Sequence, residues 1–73
     1  MEKETMYKGY KICVDIHNRL ENHCSVAWEV MQKTNNGWDG VVKFIENIDK
    51  EISDEEALRF GTSHAQKYIE EKL

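Results

Sequence analysis

The apolar residues of this 73-residue chain change their spacing near Ser53. Before it they alternate in twos; after it they recur every three or four positions. A period of two belongs to a strand with one buried face, and a period between three and four to a helix with one buried stripe. The chain is therefore expected to fold as strands followed by a single helix, an α+β arrangement within one domain spanning residues 1–73. A domain this small buries roughly 60% of the surface its unfolded chain exposes, so a partner or a second copy is a common source of added stability.

Three stretches carry the strand period. Residues 7–17 set Tyr10, Ile12, Val14 and Ile16 against Lys11, Cys13, Asp15 and His17. Residues 18–23, with two asparagines and no alternation, read as a loop from which Leu20 folds back over the sheet. Residues 24–33 follow as a second strand, with Val26, Trp28 and Val30 on one face and Ala27, Glu29 and Met31 on the other. Thr34-Asn35-Asn36-Gly37 then reads as a hairpin turn, because Asn and Gly both tolerate positive φ. Residues 38–45 return as a third strand. Val41-Val42 and Phe44-Ile45 favour that over the short helix that 39–47 would also accommodate, and Gly40 marks a bulge. Residues 1–6 are short and charged, and are expected to fray.

The helix has a defined start. Ser53 with Glu56 three residues on is the spacing of a capping box, and Asp54, Glu55 and Glu56 fill the first turn, where the helix dipole favours negative charge. Ile52, just before the cap, is placed to staple onto the first turn. From there towards Lys72, Ala57, Leu58, Gly61, Ala65, Tyr68, Ile69 and Leu73 share one stripe. Its middle is small, which predicts close contact with a large strand residue such as Trp28. The expected fold is a three-stranded antiparallel meander with one C-terminal helix packed on one face.

Ten Lys and Arg against fourteen Asp and Glu give a net charge of -4, which argues against sequence-independent binding to nucleic acid. No apolar run approaches the ~20 residues of a membrane span, and Met1-Glu2-Lys3-Glu4 lacks the apolar core of a secretory signal. A cytoplasmic protein is expected, with Cys13 and Cys24 as reduced thiols.

Cys13, His17, His23 and Cys24 are the one cluster with metal-ligand chemistry. Cys13 and His17, four strand residues apart, are separated by roughly 13 Å, and the paired C-x-x-C spacing of structural zinc sites is missing. Cys24 beside His23 points to the opposite face and gains no base. The acids of 54–56 are accounted for by the helix start. The expectation is a chain without metal, cofactor or catalytic residues.

What remains is surface. Met31, Trp38, Phe60 and His64 are the candidate protein-binding residues, Phe60 and His64 lying on the helix flank outside the main stripe with Lys67 and Glu71. A single helix covers one sheet face only. The other face and the two sheet edges are open to a protein partner or to a second copy in a homodimer. Lys8, Lys11, Arg19 and Lys43, with Tyr7, Tyr10 or Trp38 for stacking, define an alternative nucleic-acid face. A further alternative is a small acidic phage- or plasmid-type inhibitor that competes for a basic protein surface. The leading expectation is a small, non-catalytic protein-interaction module.

Ser53-Asp54-Glu55-Glu56-Ala57-Leu58, with Ala65 and Tyr68-Ile69 following, resembles the helix opening of HicB-like antitoxin domains. Tyr7-Lys8-Gly9-Tyr10 is similar to the opening strand of small bacterial strand-then-helix proteins. The resemblance spans about thirty residues and implies strands packed under a C-terminal helix. The glycine- and proline-containing segment that precedes the helix in HicB-like domains is absent, as is a DNA-binding module, and no functional residue is carried over.

Overall fold

The computed structural model describes all 73 residues and contains four strands, not three, followed by one helix. The elements are β1 (Glu2–Tyr7), β2 (Tyr10–Leu20), β3 (His23–Thr34), β4 (Gly37–Ile48) and α1 (Asp54–Lys72). The strands form one antiparallel sheet in chain order, β1-β2-β3-β4. The sheet and its covering helix make a slab of 42 × 23 × 16 Å.

The expected fraying of residues 1–6 is corrected. Glu2 to Tyr7 pair with β2 from Asp15 back to Tyr10. The charge that suggested fraying is what an edge strand carries, since one side of it has no partner to hide from water. The expected 7–17 strand is therefore interrupted at its start by a two-residue turn, Lys8-Gly9, with φ of 50° and 85°. Positive φ at both central positions matches the twist of a tight hairpin, and glycine at the second carries little strain.

The expected 18–23 loop is corrected too. β2 runs to Leu20 and β3 starts at His23, leaving Glu21-Asn22 as the turn. Leu20 does not fold back and stays exposed. A bulge at His17, between the pairs Ile16–Val26 and Asn18–Ser25, shifts the register by one residue. The Asn35-Asn36 turn falls where expected, although the positive φ, 118°, is on Gly37 alone. Thr34 Oγ1 accepts the Asn36 N–H at 3.2 Å and donates to the Gly37 carbonyl at 3.3 Å. Residues 38–47 are strand, and the bulge is at Val41, because Met31 pairs with Gly40 and Val30 with Val42.

The core lies between α1 and one sheet face. Ile12, Val14, Cys24, Val26, Trp28, Val30 and Ile48 come from the sheet, and Ala57, Leu58, Ala65 and Ile69 from the helix. Leu73, expected in the stripe, is instead the exposed C-cap. At the other end Ser53 caps the helix as expected, its Oγ accepting the Glu56 N–H at 3.1 Å and donating to Glu56 Oε1 at 3.1 Å.

Gly61 does not meet Trp28. A Cβ there would lie 2.6 Å from Val14 Cγ1 and 2.8 Å from Val26 Cγ1. The helix thus settles on β2 and β3, touches β1 less, and does not cover β4. Helix propensity favours alanine over glycine by about 1 kcal/mol, but overpacking of this kind costs about 1–3 kcal/mol. Gly61→Ala is expected to lower the urea midpoint, and Val14→Ala in the same chain to recover part of the loss; a raised midpoint for the single variant would contradict the close fit.

Candidate functional site

Because α1 is offset towards β2 and β3, the inner face of β4 is left half open. Phe44 projects from that face and remains 45% exposed. It is packed against Trp28 of β3, ring centroids 5.0 Å apart, and against Tyr68 of α1 at 6.2 Å. Trp28 and Tyr68 close the triangle at 5.9 Å. The three rings floor a shallow groove of about 230 Å³, walled by Glu46, His64, Lys67, Glu71 and Lys72. Glu46 ties the two walls: its Oε2 accepts from Trp28 Nε1 and is bonded to His64 Nδ1, each at 3.2 Å.

The four expected partner-binding residues do not form one surface. Phe60 stacks on His64 at 4.2 Å between centroids, on the helix flank that faces β4, so His64 links Phe60 to the groove. Met31 and Trp38 are on the other side of the sheet, where Lys11 and Lys33 lie over the Trp38 ring at 5.1 and 5.4 Å. Met31, Trp38 and Phe60 are half-buried and His64 is exposed. Sequence reading missed Phe44 and Glu46. Their signal was the even-numbered parity they share with Val42 and Ile48, which marks them as inward-facing residues.

The four cations of the expected nucleic-acid face are also dispersed. Lys8 sits in the β1–β2 turn, 3.5 Å from Glu70. Arg19 is at the far end of β2, donating to the Ile52 carbonyl at 2.8 Å and paired with Asp54. Lys11 and Lys43 are on the outer face among acids: Lys11 is 3.6 Å from Glu4, and Lys43 pairs across strands with Glu29. Tyr7 and Tyr10, paired across the first hairpin, pack against the core on the helix side, away from Trp38.

Cys13, His17, His23 and Cys24 do not converge on a metal geometry. Cys24 is buried in the core, Cys13 is on the outer face, and His23 bonds Asp49 at 2.7 Å. Burial, and then the Glu4 carboxylate, push the Cys13 thiol up, which opposes thiolate formation. His23 and Asp49 do line up with Ser25, whose Oγ is 3.4 Å from His23 Nε2. Yet Ser25 is buried, and its one hydroxyl proton is donated to Asn47 Oδ1 at 2.8 Å. The arrangement fastens the ends of β3 and β4. The largest concavity, about 710 Å³ beside the helix start, is lined by Glu21, Glu51 and Glu56 with Arg19 already committed.

Family models, curated proteins and solved structures all yield no match to this chain. No helix is long and apolar enough to cross a membrane.

A second contact fixes the helix against the first hairpin. The Tyr7 hydroxyl donates to Glu70 Oε2. This bond, with Lys8 nearby outweighing burial, holds the Glu70 carboxyl below the usual carboxylate range. The same bond is the main cause that pushes the Tyr7 hydroxyl above its ordinary value. The lowered Glu70 contributes stability present above the ordinary carboxylate range and lost as pH falls through its lowered value. The raised Tyr7 contributes stability present below the ordinary tyrosine range and lost as pH rises through its raised value. The stability advantage of wild type over Glu70→Gln is therefore expected to be flat near neutrality and to shrink at both extremes. Urea titrations across pH check this, and an advantage that persists in acid would refute it.

Proposed function

We propose that this chain is a small, non-catalytic protein-interaction module that works by strand addition at β4. The observation that carries this reading is the state of β4 itself. It is a twelve-residue edge strand with Phe44 45% exposed on the helix side and Ile45 51% exposed on the outer side. An unpaired edge supplies a row of N–H and C=O groups, and the flanking side chains select what binds there. The groove beside Phe44 supplies an apolar floor with polar walls, which suits a peptide side chain. Two free cysteines suit the reducing cytoplasm, which belongs to the same reading.

The test uses linear peptides displayed on phage and selected on the immobilised chain. Selected peptides are expected to alternate apolar and polar residues and to shift the amide resonances of β4 above those of β1. Phe44→Ala is expected to weaken them about tenfold or more, as loss of an aromatic anchor does. Binding that maps to β1 or to Met31 and Trp38 would place the working surface elsewhere and refute the assignment to β4.

A further inference from the structure

The two edges of the sheet are built differently. β1 is six residues long and opens Glu2-Lys3-Glu4, so charge of both signs guards its rim. β4 is twice as long, and from Gly40 to Ile45 only Lys43 is charged. Short length, charge and bulges are the devices by which sheets avoid pairing edge to edge. β1 has the first two. β4 has a single bulge, at Val41, beyond which its pairing with β3 is regular from Val42 to Ile48. That regular part carries Phe44 and Ile45, both exposed, on its opposite faces, whereas β1 has one exposed large apolar side chain, Met6.

We propose that β4 pairs antiparallel with β4 of a second copy about a two-fold axis at Phe44. The inference rests on the strand-addition reading and names the strand that is added. Two four-stranded sheets then become one continuous sheet whose remaining edges are both the charged β1.

Charge selects the register. In a two-fold antiparallel pair, opposed residues share a face, so the axis passes through a residue that meets its own image. An axis at Lys43 sets two ammonium groups against each other, and one at Glu46 sets two carboxylates. An axis at Val42 places Phe44 opposite Gly40, and one at Ile45 places Phe44 opposite Glu46. An axis at Phe44 sets ring against ring on the side that α1 leaves open. It also leaves Lys43 between Glu29 of its own β3 and the uncharged Ile45 of the second copy. Aromatic pairs opposed across strands are favourable, and like charges opposed are not.

Light scattering on a size-exclusion column across a dilution series is expected to show twice the monomer mass, dissociating on dilution. Two sets of variants test the axis. In a Cys13→Ser background, Phe44→Cys is expected to oxidise to a linked dimer. Glu46→Cys is not, since its images would be roughly 14 Å apart and a disulfide spans Cα atoms no more than about 7 Å apart. Ile45→Glu would face Lys43 of the second copy and is expected to keep the dimer, whereas Ile45→Lys is expected to weaken it about tenfold over the two symmetric pairs. Position 45 is half exposed in the monomer, so both charges are tolerated by the fold. Equal linkage at 44 and 46, or equal loss with both charges, overturns the axis. A monomer whose β4 amides still respond to the selected peptides overturns the dimer and leaves strand addition standing. A monomer with no response overturns both.

Discussion

Gly61 lets α1 settle onto Val14 and Val26 at a separation that one methyl group would prevent. Much else depends on that seat. With Ala57 and Ala65 one turn to either side, both fully buried, the small stripe draws the helix axis over β2 and β3. A helix about 10 Å wide covers roughly two strands spaced ~4.8 Å apart. A four-stranded sheet under one helix therefore has strands to spare, and the close seat decides which of them go uncovered. β1 is on one side, where Tyr7 and Glu70 reach across to fasten it. β4 is on the other, where, beyond the buried Ile48 at its end, the rings of Phe44 and Tyr68 and the Glu46–His64 bond span the gap.

The groove and the free edge are thus two results of one packing choice. Trp28 belongs to both core and groove: it is buried, yet its ring forms part of the groove floor and its indole N–H is satisfied by Glu46 at the wall. A buried tryptophan needs such a partner, since an orphaned N–H in the core costs as much as a lost hydrogen bond. Glu46 in turn holds His64, which stacks on Phe60. Side chains from β3, β4 and α1 are in this way fixed relative to one another without any contribution from the loops.

How much of this could be read beforehand follows from what each segment buries. The helix was legible because Ser53 and Glu56 mark its start and its stripe repeats over four turns. The middles of β2 and β3 were legible because they lie under the helix and alternate, whereas β4, which the helix does not cover, was readable as a strand only from its Val41-Val42 and Phe44-Ile45 pairs. The ends of β2 and β3 were not: Asn18, Arg19, Leu20 and His23 bury no apolar side chain in the core, so no apolar period is written there. β1 was illegible for the same reason, and the Lys8-Gly9 turn was hidden because Tyr7 and Tyr10 on either side looked like one continuous strand. Trp28 was correctly assigned to the core. Phe44 and Glu46 were missed because the sideways offset of the helix is set by atoms of Val14, Val26 and Gly61 meeting in space, which no periodicity records.

The bond between Tyr7 and Glu70 joins positions 63 residues apart. Closing so long a stretch of chain is entropically the most demanding of its contacts, and demand of this kind rises with the number of residues enclosed. Once β1 is paired with β2 and the helix lies on the sheet, most of that closure has already been met by other contacts, and the bond serves as a clasp between the first hairpin and the last turns of the helix, drawing the two ends of the chain together.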